Sequence, residues 1–205
     1  SLTKFIKSSM KQTIKSLNQS SIETKQKLLQ DDKITDTLEK VTEVILAALK
    51  NGNKLLFCGN GGSAADAQHL AAEFTGRFYK DRHALPAEAL HVNTSYLTAV
   101  ANDYSFDVVY SRMVTGIGNK GDVLLGLSTS GNSTNILNAI EAAKEKGMIT
   151  VGFTGAEGGK MKNACDYLLN VPSTDTPRIQ ESHILLGHII CQLAEELYFV
   201  EPSPQ

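Results

Sequence analysis

From Leu55 onward the chain alternates short, mostly apolar runs with longer stretches of helical periodicity, and nothing else in it restricts the fold so strongly. The runs are Leu55 to Cys58, Ala87 to Val92, Val123 to Leu127, Thr150 to Phe153 and Tyr167 to Val171. Apolar residues at consecutive positions suit parallel strands covered on both faces; a strand wetted on one face would alternate apolar with polar. Helical stretches lie between the runs at Ser63 to Thr75, Ser95 to Ile117, Thr134 to Lys146 and Pro177 to Phe199, the last with a proline in its first turn, where no N–H is needed. This order predicts an α/β fold with a doubly wound, Rossmann-like five-stranded parallel sheet flanked by helices. Ligands on such sheets bind beyond the carboxyl ends of the strands.

The first fifty residues differ. Phe5, Ile6 and Ile14, then Leu28, Leu29, Ile34, Leu38, Val41, Val44, Ile45 and Leu49 recur at helical spacing, which predicts an N-terminal extension of two helices. Asn51-Gly52-Asn53 is a C-cap signal that ends the second. With 205 residues, 41% of them hydrophobic, the chain can bury a full core as one domain over 1–205, its α/β part at 54–200. Pro202-Ser203-Pro204 reads as a frayed tail. A net charge of −2 offers no basic field for nucleic acid. Cys58, Cys165 and Cys191 are odd in number and widely spaced, so they read as reduced core residues. No apolar run reaches the roughly 18 residues of a membrane span and the N-terminus shows no signal-peptide core, so a cytoplasmic protein is expected.

Two loops fall where the fold places a ligand. Gly59-Asn60-Gly61-Gly62-Ser63 follows the first strand and opens a helix, so its glycines allow close backbone approach while N–H groups remain free. A tight turn without ligand would use the same residues. Ser128-Thr129-Ser130-Gly131-Asn132-Ser133 follows the third strand and precedes the helix at Thr134. Its hydroxyls and the helix N-terminus offer neutral donors to a phosphate, although an N-cap formed by Asn132 or Ser133 would also account for part of it. The lack of a lysine disfavours a Walker-type nucleotide loop.

His69 and Glu73 stand four apart on the helix that leaves the glycine loop, so both project from one face about 6 Å apart along the axis. That spacing serves a metal or an ordinary helix pair. In the last helix His188 lies between Leu185-Leu186 and Ile189-Ile190, and His183 competes with it for any chemical role.

Taken together, Cys58 to Ser63, the His69/Glu73 pair followed by Thr75-Gly76-Arg77, Asn102-Asp103, Gly121 to Gly126, Ser128 to Ser133 and Arg178-Ile179-Gln180-Glu181 resemble the phosphoheptose isomerases of the sugar isomerase (SIS) domain superfamily. The resemblance implies an aldose–ketose isomerase that converts sedoheptulose 7-phosphate to D-glycero-D-manno-heptose 7-phosphate through an enediol, supplying heptose for bacterial surface glycans such as lipopolysaccharide or capsule. It implies one zinc per subunit held by His69, Glu73, Gln180 and His188, with Glu73 and His188 as the acid/base pair. It places the sugar phosphate on Asn60, Gly61, Gly62, Ser63, Asn102, Asp103, Ser128, Thr129, Ser130, Ser133 and Gln180, with Asp66 supporting the start of its helix. It further implies a homotetramer packed through residues 1–50, with active sites at subunit interfaces. Some members carry an Asp directly before Arg-Ile-Gln-Glu; here that position is Pro177, with Asp175 two residues earlier. Non-catalytic members, which bind the DNA replication initiator or sense sugar phosphates, share the fold and the serine loop, so the four residues His69, Glu73, Gln180 and His188 are what mark an enzyme. Along one continuous helix, however, Gln180 and His188 would stand about 12 Å apart.

Overall fold

The structure, a computed structural model, describes residues 2–200, with side chains described from residue 9. Phe5 and Ile6, as side chains, and the Pro202-Ser203-Pro204 segment lie outside the described residues. Two helices, α1 (Leu2–Leu29) and α2 (Asp32–Lys50), precede the sheet. Asp31 separates them, its carboxylate accepting from the N–H of Ile34 at 3.1 Å as the N-cap of α2. At the other end Gly52 adopts φ +80° and the N–H groups of Gly52 and Asn53 bond back to Leu49 and Ala48, a Schellman closure of the kind Asn51-Gly52-Asn53 predicts.

Five strands follow: β1 (Leu55–Gly59), β2 (Ala87–Ala89), β3 (Val123–Leu127), β4 (Ile149–Thr154) and β5 (Tyr167–Asn170). They form one all-parallel sheet in the order β2-β1-β3-β4-β5. Every residue of β1 and β3 is buried, because helices cover both faces. Leu55, Phe57, Leu125 and Phe153 face one side, where they meet α2, α3 (Gly62–Thr75) and α7 (Thr176–Tyr198) through Ile45, Leu70, Phe74 and Ile190. Leu56, Cys58 and Leu124 face the other, against α5 (Val109–Ile117) and α6 (Thr134–Glu145) through Val109, Tyr110, Ile136 and Ile140. The strict alternation of partners along each strand is the period of two, and each fully buried Leu or Phe contributes about 1.5–3 kcal/mol. All three cysteines are free; burial pushes the Cys165 thiol up to about 12 and raises Cys58 and Cys191 further.

Two elements differ from the sequence reading. The expected helix from Ser95 to Ile117 is two helices, α4 (Thr94–Asp103) and α5, joined by an extended Ser105 and a short 3-10 turn over Phe106–Val108. Tyr96 near the start of α4 donates its hydroxyl to the carbonyl of Val109 at 2.8 Å, so the chain doubles back where Asn102, Asp103 and Ser105 weaken the helix. The second strand ends at Ala89 rather than Val92, because the next residues turn toward Asn93, whose side chain caps α4 by accepting from Tyr96 N–H.

His183, in α7, is wholly buried on the edge of the Phe153 ring and pairs through Nε2 with the carbonyl of Thr154 at 3.0 Å. Burial pushes its pKa down to about 4 against the Thr154 bond, which acts the other way. Between the unfolded value near 6.5 and the folded value near 4 the unfolded chain binds the extra proton, so the stabilisation is complete above 6.5 and is lost as pH falls through that window. Chemical denaturation should therefore find the protein about 2 kcal/mol less stable at pH 5 than at pH 7. His91, also lowered by burial, acts in the same direction. His183→Gln should remove most of the difference; an undiminished slope would contradict a neutral His183.

Candidate active site

The strand order reverses between β1 and β3: the chain leaves β1 toward β2 on one side and returns to β3 on the other. A crevice opens at such a point beyond the carboxyl ends of the strands. Its two walls are the glycine loop after β1 and the serine loop after β3. Asn60 and Asn135 join the walls by a reciprocal amide pair, Asn60 Nδ2 to Asn135 Oδ1 at 2.8 Å and Asn135 Nδ2 to Asn60 Oδ1 at 2.9 Å. Asn135, a buried polar residue in the first turn of α6, escaped the sequence reading; an Asn amid an apolar helix face was its only signal.

Neither helix that starts at this crevice is capped by a side chain. Gly61, at φ +55°, precedes α3, and Ser133 precedes α6, and neither makes a side-chain cap bond. The Ser133 hydroxyl instead meets Ser128 Oγ at 3.0 Å, Ser130 Oγ lies 3.4 Å from Ser128 Oγ, and Asn132 turns its carbonyl to the N–H of Lys160. Asn132 and Ser133 thus leave the helix amides free, and two positive helix ends with a ring of hydroxyls face one crevice, which is how a protein binds an oxyanion without a cation. Gly131 is required here: it sits at φ +68°, and a Cβ would strike the backbone of Gly158. Thr129, Ser130, Gly155, Ser173 and Thr176 line a cavity of about 250 Å³ beside the loop.

The second part of the site is the seam between α3 and α7, which lie side by side and parallel. Residue meets residue in order along it: Gly62 and Asp66 face Gln180, Leu70 packs on Gly187, and His69 and Glu73 face His188. His69 Nε2 is 3.1 Å from His188 Nε2 and 3.2 Å from Glu73 Oε1. One donor atom from each of the three lies within 4.8 Å of the others, so the triad could hold a metal ion. Two imidazole nitrogens and a carboxylate oxygen are a fitting donor set for zinc. His69 is half exposed, Glu73 largely covered.

Gly187 makes this convergence possible. A Cβ there would lie 2.5 Å from both methyl carbons of Leu70, so only glycine lets α7 approach closely enough for His188, the next residue, to reach α3. A glycine inside an otherwise apolar helix was the signal the sequence offered for it.

The remaining candidates divide. Gln180 stands at the glycine-loop end, its amide against the Cα of Gly62, and α7 is unbroken from Thr176 to Tyr198, so the axial distance of about 12 Å to His188 is real. Asp66 lies a turn inside α3 and faces α7 rather than supporting the helix start. Its Oδ2 is buried without a hydrogen-bond partner, and burial raises its pKa, offset in part by Gln180, His69 and His188. Ser63 is buried beneath Gly59, and Asn102 and Asp103 end α4 exposed, bonded to one another at 3.0 Å. Asp175 occupies the N-cap of α7 without a cap bond. Arg178 and Glu181 pair at 2.6 Å and reach Leu17 and Lys25 of α1, so the charged residues beside Gln180 fasten the N-terminal helix.

Residues 19–155 match the SIS domain family. The chain is 53% identical over 192 residues to the phosphoheptose isomerase of Clostridium acetobutylicum, which spans 94% of this chain and 98% of that protein. It is 54% identical over 190 residues to the phosphoheptose isomerase of Aneurinibacillus thermoaerophilus, across 93% and 96%. Among solved structures, phosphoheptose isomerase GmhA from Neisseria gonorrhoeae superposes with a TM-score of 0.86 at 44% identity, covering 91% of this chain and 99% of that one. The SIS match ends before α7, whereas the full-length relatives run through Gln180 and His188. No helix among the described residues is long and apolar enough to cross a membrane. Carrying the β1/β3 crevice and the α3–α7 seam, and with these relatives beside it, the chain belongs to the phosphoheptose isomerases, the aldose–ketose isomerases of the SIS domain family.

Proposed function

We propose that this enzyme interconverts sedoheptulose 7-phosphate and D-glycero-D-manno-heptose 7-phosphate, with the phosphate in the β1/β3 crevice and the reacting carbons at the α3–α7 seam. The convergence of Glu73, on the helix that springs from the glycine loop, with His188 of α7 carries this reading. Glu73 takes the proton from C1 of the ketose and returns it to C2, while His188 gives a proton to O2 and takes one from O1, so the enediol forms and collapses without net loss. Ser128, Thr129, Ser130 and Ser133, with the two helix N-termini, hold the phosphate.

His69, Glu73 and His188 would hold a zinc ion, while Gln180, at the glycine-loop end of the seam about 12 Å along α7, lies outside that cluster, and Glu73 would keep its second oxygen for the substrate. Bound there, zinc would act as a Lewis acid toward the sugar oxygens. The half-exposed His69 and an apolar groove of about 760 Å³ between α1, α2 and α7, lined by Leu38, Leu46, Ile189 and Leu193, support assembly as a tetramer that covers the site. The product would feed surface-glycan synthesis in the cytoplasm.

The test is incubation with sedoheptulose 7-phosphate, with and without added zinc, following the aldoheptose phosphate by NMR. Turnover is expected; its absence under both conditions would return the chain to a sugar-phosphate-binding or initiator-binding role.

A further inference from the structure

The loop between α3 and β2 is fastened by a buried ion pair to which the isomerase reading gives no part. Arg82 and Glu195 are 4% and 2% exposed. Glu195, near the end of α7, accepts from the N–H groups of Phe78, Tyr79 and Lys80 at 2.9, 2.6 and 2.9 Å and from Arg82 Nε at 2.9 Å, so each carboxylate oxygen takes two donors. Burial alone would raise its pKa, but these bonds hold it below the usual carboxylate range. The rest of the Arg82 guanidinium donates to the end of α3: Nη2 to the carbonyl of Glu73 at 2.7 Å, and Nη1 to those of Phe74 at 2.7 Å and Gly76 at 2.9 Å.

The network therefore touches both halves of the acid/base pair. It grips Glu73 by its own backbone carbonyl. It also anchors Phe78, whose ring lies 5.6 Å from the His188 ring, centroid to centroid. A buried ion pair is a poor source of stability compared with apolar packing, whereas the planar fork of an arginine is well suited to fixing several carbonyls at once.

We propose that Arg82 and Glu195 are positioning residues of the isomerase, locking the end of α3 and Phe78 to α7 so that Glu73 and His188 keep their catalytic separation. This rests on the acid/base reading of that pair. The experiment compares kcat, KM and thermal midpoint for wild type, Arg82→Lys, Glu195→Gln, Phe78→Leu and Asp122→Asn. Asp122 is the control: it gathers Lys54 Nζ at 2.5 Å and Asn119 N–H at 2.8 Å at the opposite end of the sheet. Arg82→Lys and Glu195→Gln should lower kcat about 10- to 100-fold, as loss of an outer support does. KM should stay within about threefold, since the phosphate crevice is untouched. Asp122→Asn should lower the thermal midpoint while leaving kcat unchanged. Should the ion-pair variants lose only thermal midpoint, as Asp122→Asn does, or raise KM at constant kcat, the inference is overturned. If neither ion-pair variant folds, Phe78→Leu decides, because it keeps the backbone bond to Glu195 and removes only the ring beside His188. A fall in kcat of about tenfold supports the inference; an unchanged kcat sinks it. Wild-type protein that fails to turn over the heptose phosphate defeats the underlying reading instead, and the inference with it.

Discussion

Glu73→Gln should lower kcat on sedoheptulose 7-phosphate by about 10³-fold, or about 4 kcal/mol of barrier, with KM little changed. The amide keeps the shape of the carboxylate and can still meet His69, but it cannot take a proton from carbon. His188→Ala should cost about 10²- to 10³-fold, since it removes the group that moves protons between the two oxygens. Excess zinc should restore neither, which separates loss of the base from loss of a metal ligand. Steady-state kinetics with the NMR readout decides this, and a Glu73→Gln enzyme within tenfold of wild type would put the base elsewhere.

Gly187→Ala should destabilise the protein by about 1–2 kcal/mol net and lower kcat about tenfold or more, although alanine is the better helix former. The added methyl would fall 2.5 Å from both methyl carbons of Leu70, which is 1% exposed and packed among Phe57, Phe74 and Ile190. Relieving the clash is expected to shift α7 from α3 and carry His188 away from His69 and Glu73. Gly116 in α5 supplies the contrast. Nothing lies within 4 Å of a Cβ there, and Gly116→Ala should stabilise by about 0.5–1 kcal/mol with activity intact. Opposite signs for one substitution at two helical glycines would show that the close α3–α7 seam, and not helix propensity, governs position 187. Stabilisation at both would refute the close seam.

Much of the scaffold was legible in the chain itself. All five apolar runs became parallel strands, and the inner three, β1, β3 and β4, were the plainest because burial on both faces leaves a mark at nearly every position, whereas the edge strands β2 and β5 are only partly covered. The Gly52 closure announced itself because a left-handed turn nearly demands glycine. The helix expected across Ser95 to Ile117 shows the limit: its periodicity continues through Tyr104, whereas in the fold an extended Ser105 breaks it and the bond from Tyr96 to Val109 holds the two halves folded back.

The site divides in the same way. That His69 and Glu73 share a face follows from four residues of helix and could be read directly. Which histidine of α7 joins them could not. His183 and His188 sit in the same kind of apolar surroundings, five residues apart and hence about 140° around the helix, so they must point to different neighbours. Packing on β4 gave His183 to Thr154, and packing on α3 gave His188 to the triad. Arg82 and Glu195, more than a hundred residues apart, carry no local pattern at all. Backbone geometry repeats every two or 3.6 residues and so imprints strands, helices and caps on the sequence. Which faces meet depends on how whole elements pack, and that information exists only in the assembled fold.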